Sequence, residues 1–437
     1  MNSSYTKRKY STSQLIANTI LYYTLFVGFF IYNFGFPESM LYFTDLLNVL
    51  LLLLSINRIL KNIRKKPLRL YLLFIIFACL VGLLSATING IDFLLFIWSC
   101  RNWGRAICFF LACSSIISER QADKAISLSK GLFHVNFFVI LIQFFLFRSR
   151  YTQDSLNGLF GRNTSGVNVT FLMIILSIVL AEYFVHKIKI QELITYLVEY
   201  NIICILAELR ALMLFEIVFI ALYAAVNFKG SGKQLVRYVG LIVIVVIGAT
   251  SAAGYLAKIY PEFAGFLTIE GVLKSANSEL GYGFSGYIDR LNFITVINKY
   301  LFNGNTFKYL FGIGMGNAEY SAVSRLCSNF YNSYGTTFAY LRFSSSMIFL
   351  ECGILGLLLF ASAYVYLFMQ SVRKIRSKKL ITTLLANEEM EIGFIATIII
   401  FLFYNNLQRT DTSFILAFFS AIAISISRQY YIDRGKQ

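Results

Sequence analysis

Apolar runs recur along the whole chain, separated by short polar segments that carry much of its Lys and Arg. Most are long enough to cross a hydrocarbon core of about 30 Å as a helix rising ~1.5 Å per residue. Twelve such runs predict helices at 15–34, 40–56, 70–87, 93–117, 132–147, 165–185, 193–208, 211–227, 238–256, 346–370, 392–405 and 413–428. The first is too long for a signal-peptide core and has no small-residue cleavage site, so it reads as a first span. One stretch breaks the rhythm: Gly254 to Ser346 is polar, rich in Tyr, Phe, Gly and Asn, and carries Arg290, Arg325 and Arg342. Inside it, Leu291 to Phe302 has apolar residues at helical spacing and predicts an amphipathic helix along a membrane surface. Phe311 to Asn317, with glycines at 312, 314 and 316, predicts a tight turn or re-entrant approach. Tyr331 to Tyr340 is aromatic and polar, as in an interface belt.

The expected fold is an all-α integral membrane protein of about twelve transmembrane helices with one long extracytoplasmic loop containing short helices. Residues 1–256 hold the first nine spans, 257–345 the loop, and 346–437 the last three spans and a cytoplasmic C-terminus. Composition agrees: 57% of the 437 residues are hydrophobic and 14% charged, against about 45–50% and about 25% in soluble domains. No internal repeat is visible and the loops are uneven, unlike inverted-repeat transporters.

The net charge of +17 suggests nucleic acid until its distribution is examined. With the N-terminus inside, 25 of the 39 basic residues fall in inner segments. Short outer loops such as 35–39 and 88–91 have none, and short loops weigh most in the positive-inside rule. Both termini are therefore expected in the cytoplasm and the long segment outside, with no nucleic-acid partner. Of seven cysteines only Cys327 lies in that segment, which implies no disulfide framework. His134 and His186 both lie outside it. No His, Cys, Asp and Glu spacing suggests a metal, and no cofactor is expected.

Candidate chemistry therefore rests on arginines and carboxylates. Arg210, in Ala207-Glu208-Leu209-Arg210, follows an apolar block near the outer ends of two spans. It either grips an anionic headgroup, whose phosphate oxygens suit the guanidinium fork, or pairs with Glu208 or Glu216. Arg290, beside Asp289, starts the amphipathic segment, where a helix N-terminus favours anions; the competing reading is a surface pair with Asp289. Arg342 is a third phosphate contact or an interfacial anchor. Arg101 and Arg105, four apart, form one cationic face in a span and either neutralise a lipid phosphate or pair with a carboxylate from another helix. Arg162, in Gly158-Leu159-Phe160-Gly161-Arg162-Asn163, is an outer-loop candidate of the same kind. Glu351 is an unusual carboxylate inside a span, either a base or an arginine partner. The carboxylate that orients or deprotonates an acceptor is expected to be Asp289, Glu319 or Glu351. Glu319, the turn residue Gly314 and the aromatic Tyr340 complete the set expected to face substrate. The three alternating glycines do not form a nucleotide site, because no strand precedes them.

Phe349 to Phe360, with Glu351, Gly353 and Gly356, together with the glycine turn, Arg290 and Arg210, resembles the O-antigen ligase/Wzy polymerase superfamily. The resemblance covers roughly residues 155–365. It implies a GT-C-like polytopic enzyme of the bacterial cytoplasmic (inner) membrane. Such an enzyme transfers glycans from undecaprenyl diphosphate at the outer face, in lipopolysaccharide O-antigen, capsule or exopolysaccharide synthesis. It also implies lipid-linked oligosaccharide donor and acceptor, membrane lipids, and a chain-length regulator membrane protein as partners. Ligase-like members carry a His-Asn pair nine residues before the Glu of that motif; here those positions hold Arg342 and Phe343. That departure favours the polymerase, with the ligase as runner-up and a polysaccharide-lipid flippase as the alternative of another class.

Overall fold

The computed structural model describes residues 10–90, 92–147, 155–162, 164–259, 288–290, 292–321, 323–377, 382–407 and 412–434. The first part of the long polar segment, including Lys274, Gly286 and Tyr287, and the isolated positions Asn163 and Leu291 lie outside the described residues. No strand occurs among the described residues. The long helices before the polar segment are α1 Thr12–Phe34, α2 Phe43–Ile63, α3 Lys66–Asn89, α4 Phe93–Ile116, α5 Glu119–Phe147, α6 Ser165–Phe184, α7 Ile190–Leu206, α8 Arg210–Asn227 and α9 Gly232–Ile259. Three short helices follow, α10 Phe293–Val296, α11 Thr306–Phe311 and α12 Asn329–Phe338, and then α13 Ser344–Arg376, α14 Thr382–Tyr404 and α15 Thr412–Arg434. Each apolar run falls on one long helix, but α5 begins 13 residues before the expected span at 132–147 and α14 begins 10 residues before that at 392–405.

Eight helices (α1, α2 with the turn before it, α3, α5, α6, α8, α9 and α13) are long and apolar enough to cross a membrane. Their ends obey local chemistry. Ser11 and Gln14 close a reciprocal cap at the start of α1, and Gly35 ends it at φ 71°. Asp92 opens α4 by accepting from Leu94 N and Leu95 N. Helix α6, apolar on every side, has 94% of its span buried and forms the centre of the bundle. Helix α9, with 17% of its span buried, is peripheral and exposes Val236, Val243 and Ile247. Similar rows on α2 and α5 make an apolar exterior of the extent that faces lipid rather than water.

Helix α13 packs chiefly on α3 and α14, while α15 packs on α4 and α14. It is broken rather than continuous: Gly353 has φ 64° and ψ −168°, and a Cβ there would collide with the Leu310 carbonyl. The break leaves carbonyls at the end of the short half, Ser344–Cys352, without intrahelical partners. The glycine turn supplies them, Ile313 N donating to Leu350 O at 2.9 Å and Gly314 N to Glu351 O at 3.0 Å. The same turn reaches α3, where Met315 N donates to Gly82 O (3.0 Å) and Ser85 Oγ donates to Gly312 O (2.7 Å). Gly314, at φ 102°, lies so close to Ala86 that no side chain fits. The expected re-entrant approach is thus a backbone wedge among α3, α4 and α13.

The amphipathic segment differs from expectation. From Phe293 it makes one α-helical turn and passes into a π-helical turn, Ile297–Leu301. Its buried side, Phe293, Val296, Ile297 and Leu301, packs inward, with Phe293 and Phe302 both against the Phe349 ring of α13. Apolar spacing alone does not distinguish a membrane surface from a protein surface, and here the protein surface takes that face.

Candidate functional site

Two polar neighbourhoods flank the short half of α13. The first is organised by α4, which presents Ser99, Asn102 and Trp103 on one face because positions three and four apart are neighbours on a helix. Glu351, fully buried, accepts from Ser99 Oγ (3.2 Å) and Trp103 Nε1 (3.2 Å) through Oε2, and from Gly316 N (2.8 Å) through Oε1. Glu319, also buried, accepts from Asn102 Nδ2 at 3.0 Å, and the two carboxylates are close enough to repel. Burying a carboxylate is costly unless donors surround it, and α4 and the glycine turn provide those donors. Asn102 passes the network on, its Oδ1 accepting from Arg101 Nη1 at 2.7 Å. Arg101 also pairs with Asp45 of α2, and Arg105 Nη1 lies 3.8 Å from the other Asp45 oxygen. Tyr340, buried, donates its hydroxyl to Ala318 O at 3.0 Å and pins the chain beside Glu319.

The second neighbourhood holds the arginines. The Arg290 guanidinium lies 4.4 Å from the centre of the Tyr404 ring, at the end of α14, and 5.5 Å from that of Phe343. Asp289 is buried and accepts from Asn292 N at 2.8 Å, while Asn292 Oδ1 accepts from Asp289 N, so the pair fixes the backbone that carries Arg290. Arg342 precedes Phe343 and is exposed. Arg210 is the first residue of α8, and Phe215, about 7.5 Å further along that helix, packs on Tyr404 with ring centres 5.5 Å apart. Tyr404 thereby links the strip that carries Arg290 to the helix that Arg210 begins. Arg162 follows a turn packed on α1 and α5, helices on which neither neighbourhood draws.

The structure therefore brings Arg101, Arg105, Gly314, Glu319, Tyr340 and Glu351 into one connected neighbourhood and sets Asp289 and Arg290 in another beside Phe343 and Tyr404. Arg101 and Arg105 both lie against Asp45, a carboxylate on another helix. Glu351, expected to serve as a base or to pair with an arginine, takes hydrogen bonds from a serine, a tryptophan and a backbone amide. Glu216 accepts from Asn201 Nδ2 at 3.1 and 3.0 Å. Sequence reasoning missed Asp45, Ser99, Asn102, Trp103 and Tyr404. A signal existed for three of them: Ser99, Asn102 and Trp103 extend the polar stripe of Arg101 and Arg105 along an otherwise apolar helix. Among the described residues no group of three or more His, Cys, Asp or Glu could hold a metal ion.

Helices and site together define an all-α, multi-pass membrane protein with a polar centre built into its helical core. The chain matches no protein-family model, and no curated protein is similar to it in sequence.

Proposed function

We propose that this protein is a polymerase of undecaprenyl-diphosphate-linked oligosaccharide repeat units, of the O-antigen ligase/polymerase superfamily, with twelve spans and both termini in the cytoplasm. The observation that carries the reading is how residues 288–342 are incorporated. They are not a tether between spans: they wedge into α3, α4 and α13 and bring Arg290 and Glu319 against the helical core. A flippase of similar layout needs no such insertion, and a ligase needs a histidine where Arg342 stands.

In this reading Arg210 and Arg290 hold the donor diphosphate, with Arg342 as a third contact. An acceptor hydroxyl oxygen attacks the anomeric carbon, the bond from that carbon to the diphosphate oxygen breaks, and the lipid diphosphate leaves with the electron pair. Fixed guanidinium groups stabilise the charge that develops on it. The acceptor proton passes to a carboxylate, and Asp289, adjacent to Arg290, is assigned that role. Glu351 and Glu319 hold the wedge in place.

Arg210→Ala and Arg290→Ala should each abolish chain elongation, read on gels of surface glycan, while the protein still accumulates in membranes. Normal polymer from either variant would sink the arginine assignment. Deletion of the gene should leave single repeat units on the surface. Unattached long chains would indicate a ligase instead, and repeats trapped inside the cell a flippase.

A further inference from the structure

A separate cleft opens beside the buried carboxylates. Its walls include Asp92, Lys308, Asn317, Arg325, Asn329 and Phe330, and Ile313 and Asn317 on its wall belong to the same turn whose Gly316 amide holds Glu351. Lys308 stands in α11, whose first turn is capped by Asn305. Arg325 stands in the short turn Ser324–Leu326 and is exposed. Neither cation makes a salt bridge among the described residues. The one carboxylate on the wall is occupied elsewhere: Asp92 Oδ1 caps α4, accepting from Leu94 N (2.9 Å) and Leu95 N (3.2 Å). Asn317 spends its Nδ2 on Gly90 O (3.0 Å) and Ile313 O (2.8 Å), which leaves its Oδ1 free to accept from a hydroxyl. Phe330 is braced by Tyr334 and Tyr340, with ring centres 5.0 and 5.9 Å away, and offers a fixed ring on which the C–H face of a sugar can stack.

Two cations set against one helix-capping carboxylate, with amides and a braced aromatic ring, are the chemistry of a site for an anion that also carries hydroxyls. We propose that this cleft binds an acidic sugar, its carboxylate or phosphate between Lys308 and Arg325 and its ring against Phe330. The proposal rests on the polymerase reading for the source of the saccharide, and it identifies the substrate class as anionic rather than neutral. An anionic phospholipid headgroup offers the same anion at the membrane surface, so the test separates the two sources.

The purified full-length protein is placed in nanodiscs of phosphatidylcholine alone and titrated with a glucuronate-containing disaccharide and with its neutral glucose counterpart. The acidic disaccharide should bind at least tenfold more tightly. The double variant Lys308→Gln, Arg325→Gln should erase that preference while leaving the neutral affinity unchanged, and Lys308→Arg should retain it. Elution volume and thermal unfolding check that the variants fold, which the surface position of Arg325 and partial exposure of Lys308 favour. Equal affinity for the two disaccharides, no binding of either, or an unchanged preference in the double variant overturns the proposal. So does loss of the preference when phosphatidylglycerol replaces part of the phosphatidylcholine, which assigns the cleft to lipid. Binding is read without turnover. If Arg210→Ala polymerises normally while the acidic preference persists, the polymerase reading fails and the cleft stands.

Discussion

Glu351 combines three features that decide its role: no exposure, a position immediately before a helix break, and three donors on two oxygens. Three of the roughly four acceptor positions of the carboxylate are taken by fixed donors. It acts as a clamp holding α4, α13 and the glycine turn together. Glu351→Gln keeps the volume but exchanges an acceptor oxygen for an NH2 group, so the Gly316 amide or the Trp103 indole must face a donor. A buried donor left without its acceptor costs roughly 1–3 kcal/mol. The variant should therefore unfold several degrees lower in detergent. Under the polymerase reading, polymer should return when cells are grown at reduced temperature, because the loss is one of assembly. A variant with wild-type thermal stability and no polymer at any temperature would make Glu351 a chemical participant instead. Arg290 lies against two aromatic faces, at 4.4 and 5.5 Å. Cation–π contacts are worth about 0.5–2 kcal/mol.

Among the elements, α13 carries the most information, and its break separates what the sequence made legible from what it did not. The twelve long helices could be read because length and apolar continuity are local properties. The break could not, because Gly353 and Gly356 look alike in Phe349–Phe360. Gly356 sits on the Cys352 side chain within the helix, whereas Gly353 is opposed by the Leu310 carbonyl from a different part of the chain. The Asp45 partner of Arg101 is likewise 56 positions away, so the cationic face was visible and its counter-charge was not. Gly353→Ala must place a Cβ in a left-handed conformation, a penalty of roughly 1–2 kcal/mol. It must also force that atom into the Leu310 backbone, for which overpacking adds typically about 1–3 kcal/mol. Detergent-solubilised Gly353→Ala should elute aggregated or with a much lower unfolding temperature. Gly248→Ala in α9, where a Cβ meets nothing within 4 Å, should be unchanged or slightly stabilised. Equal behaviour of the two variants would remove the seat assigned to the glycine turn.

At the scale of the whole molecule, the charge distribution and the helix ends make one prediction about sidedness. Basic residues crowd the C-terminal end of α2, the N-terminal end of α3, the turn between α6 and α7, the start of α9 and the C-terminal end of α13. The opposite links, from α1 to α2 through Gly35 and Glu38 and from α3 to α4 through Gly90 and Asp92, have no Lys or Arg. If every long helix crosses once, these basic ends share one side, because each is separated from the next by an even number of helices. Among the described residues nine long helices precede residue 288, an odd number, which on that condition would set the glycine turn and Arg290 on the side opposite the N-terminus. Three more return the chain to the side of the N-terminus. The positive-inside rule makes that side the cytoplasm. Alkaline phosphatase fused after Gly35, Gly90 or Gly304 should be active, and fused after Gly230 inactive. A fluorescent protein that folds only in the cytoplasm should be bright on Gln437. Activity at Gly230 or a dark C-terminal fusion would mean that one of the long helices does not cross. The candidates are then the four that fall outside the eight long, strongly apolar ones: α4, α7, α14 and α15. An error among α4 or α7 would move Arg290 to the cytoplasmic side and end the polymerase reading with it, whereas an error in α14 or α15 would move only the C-terminus.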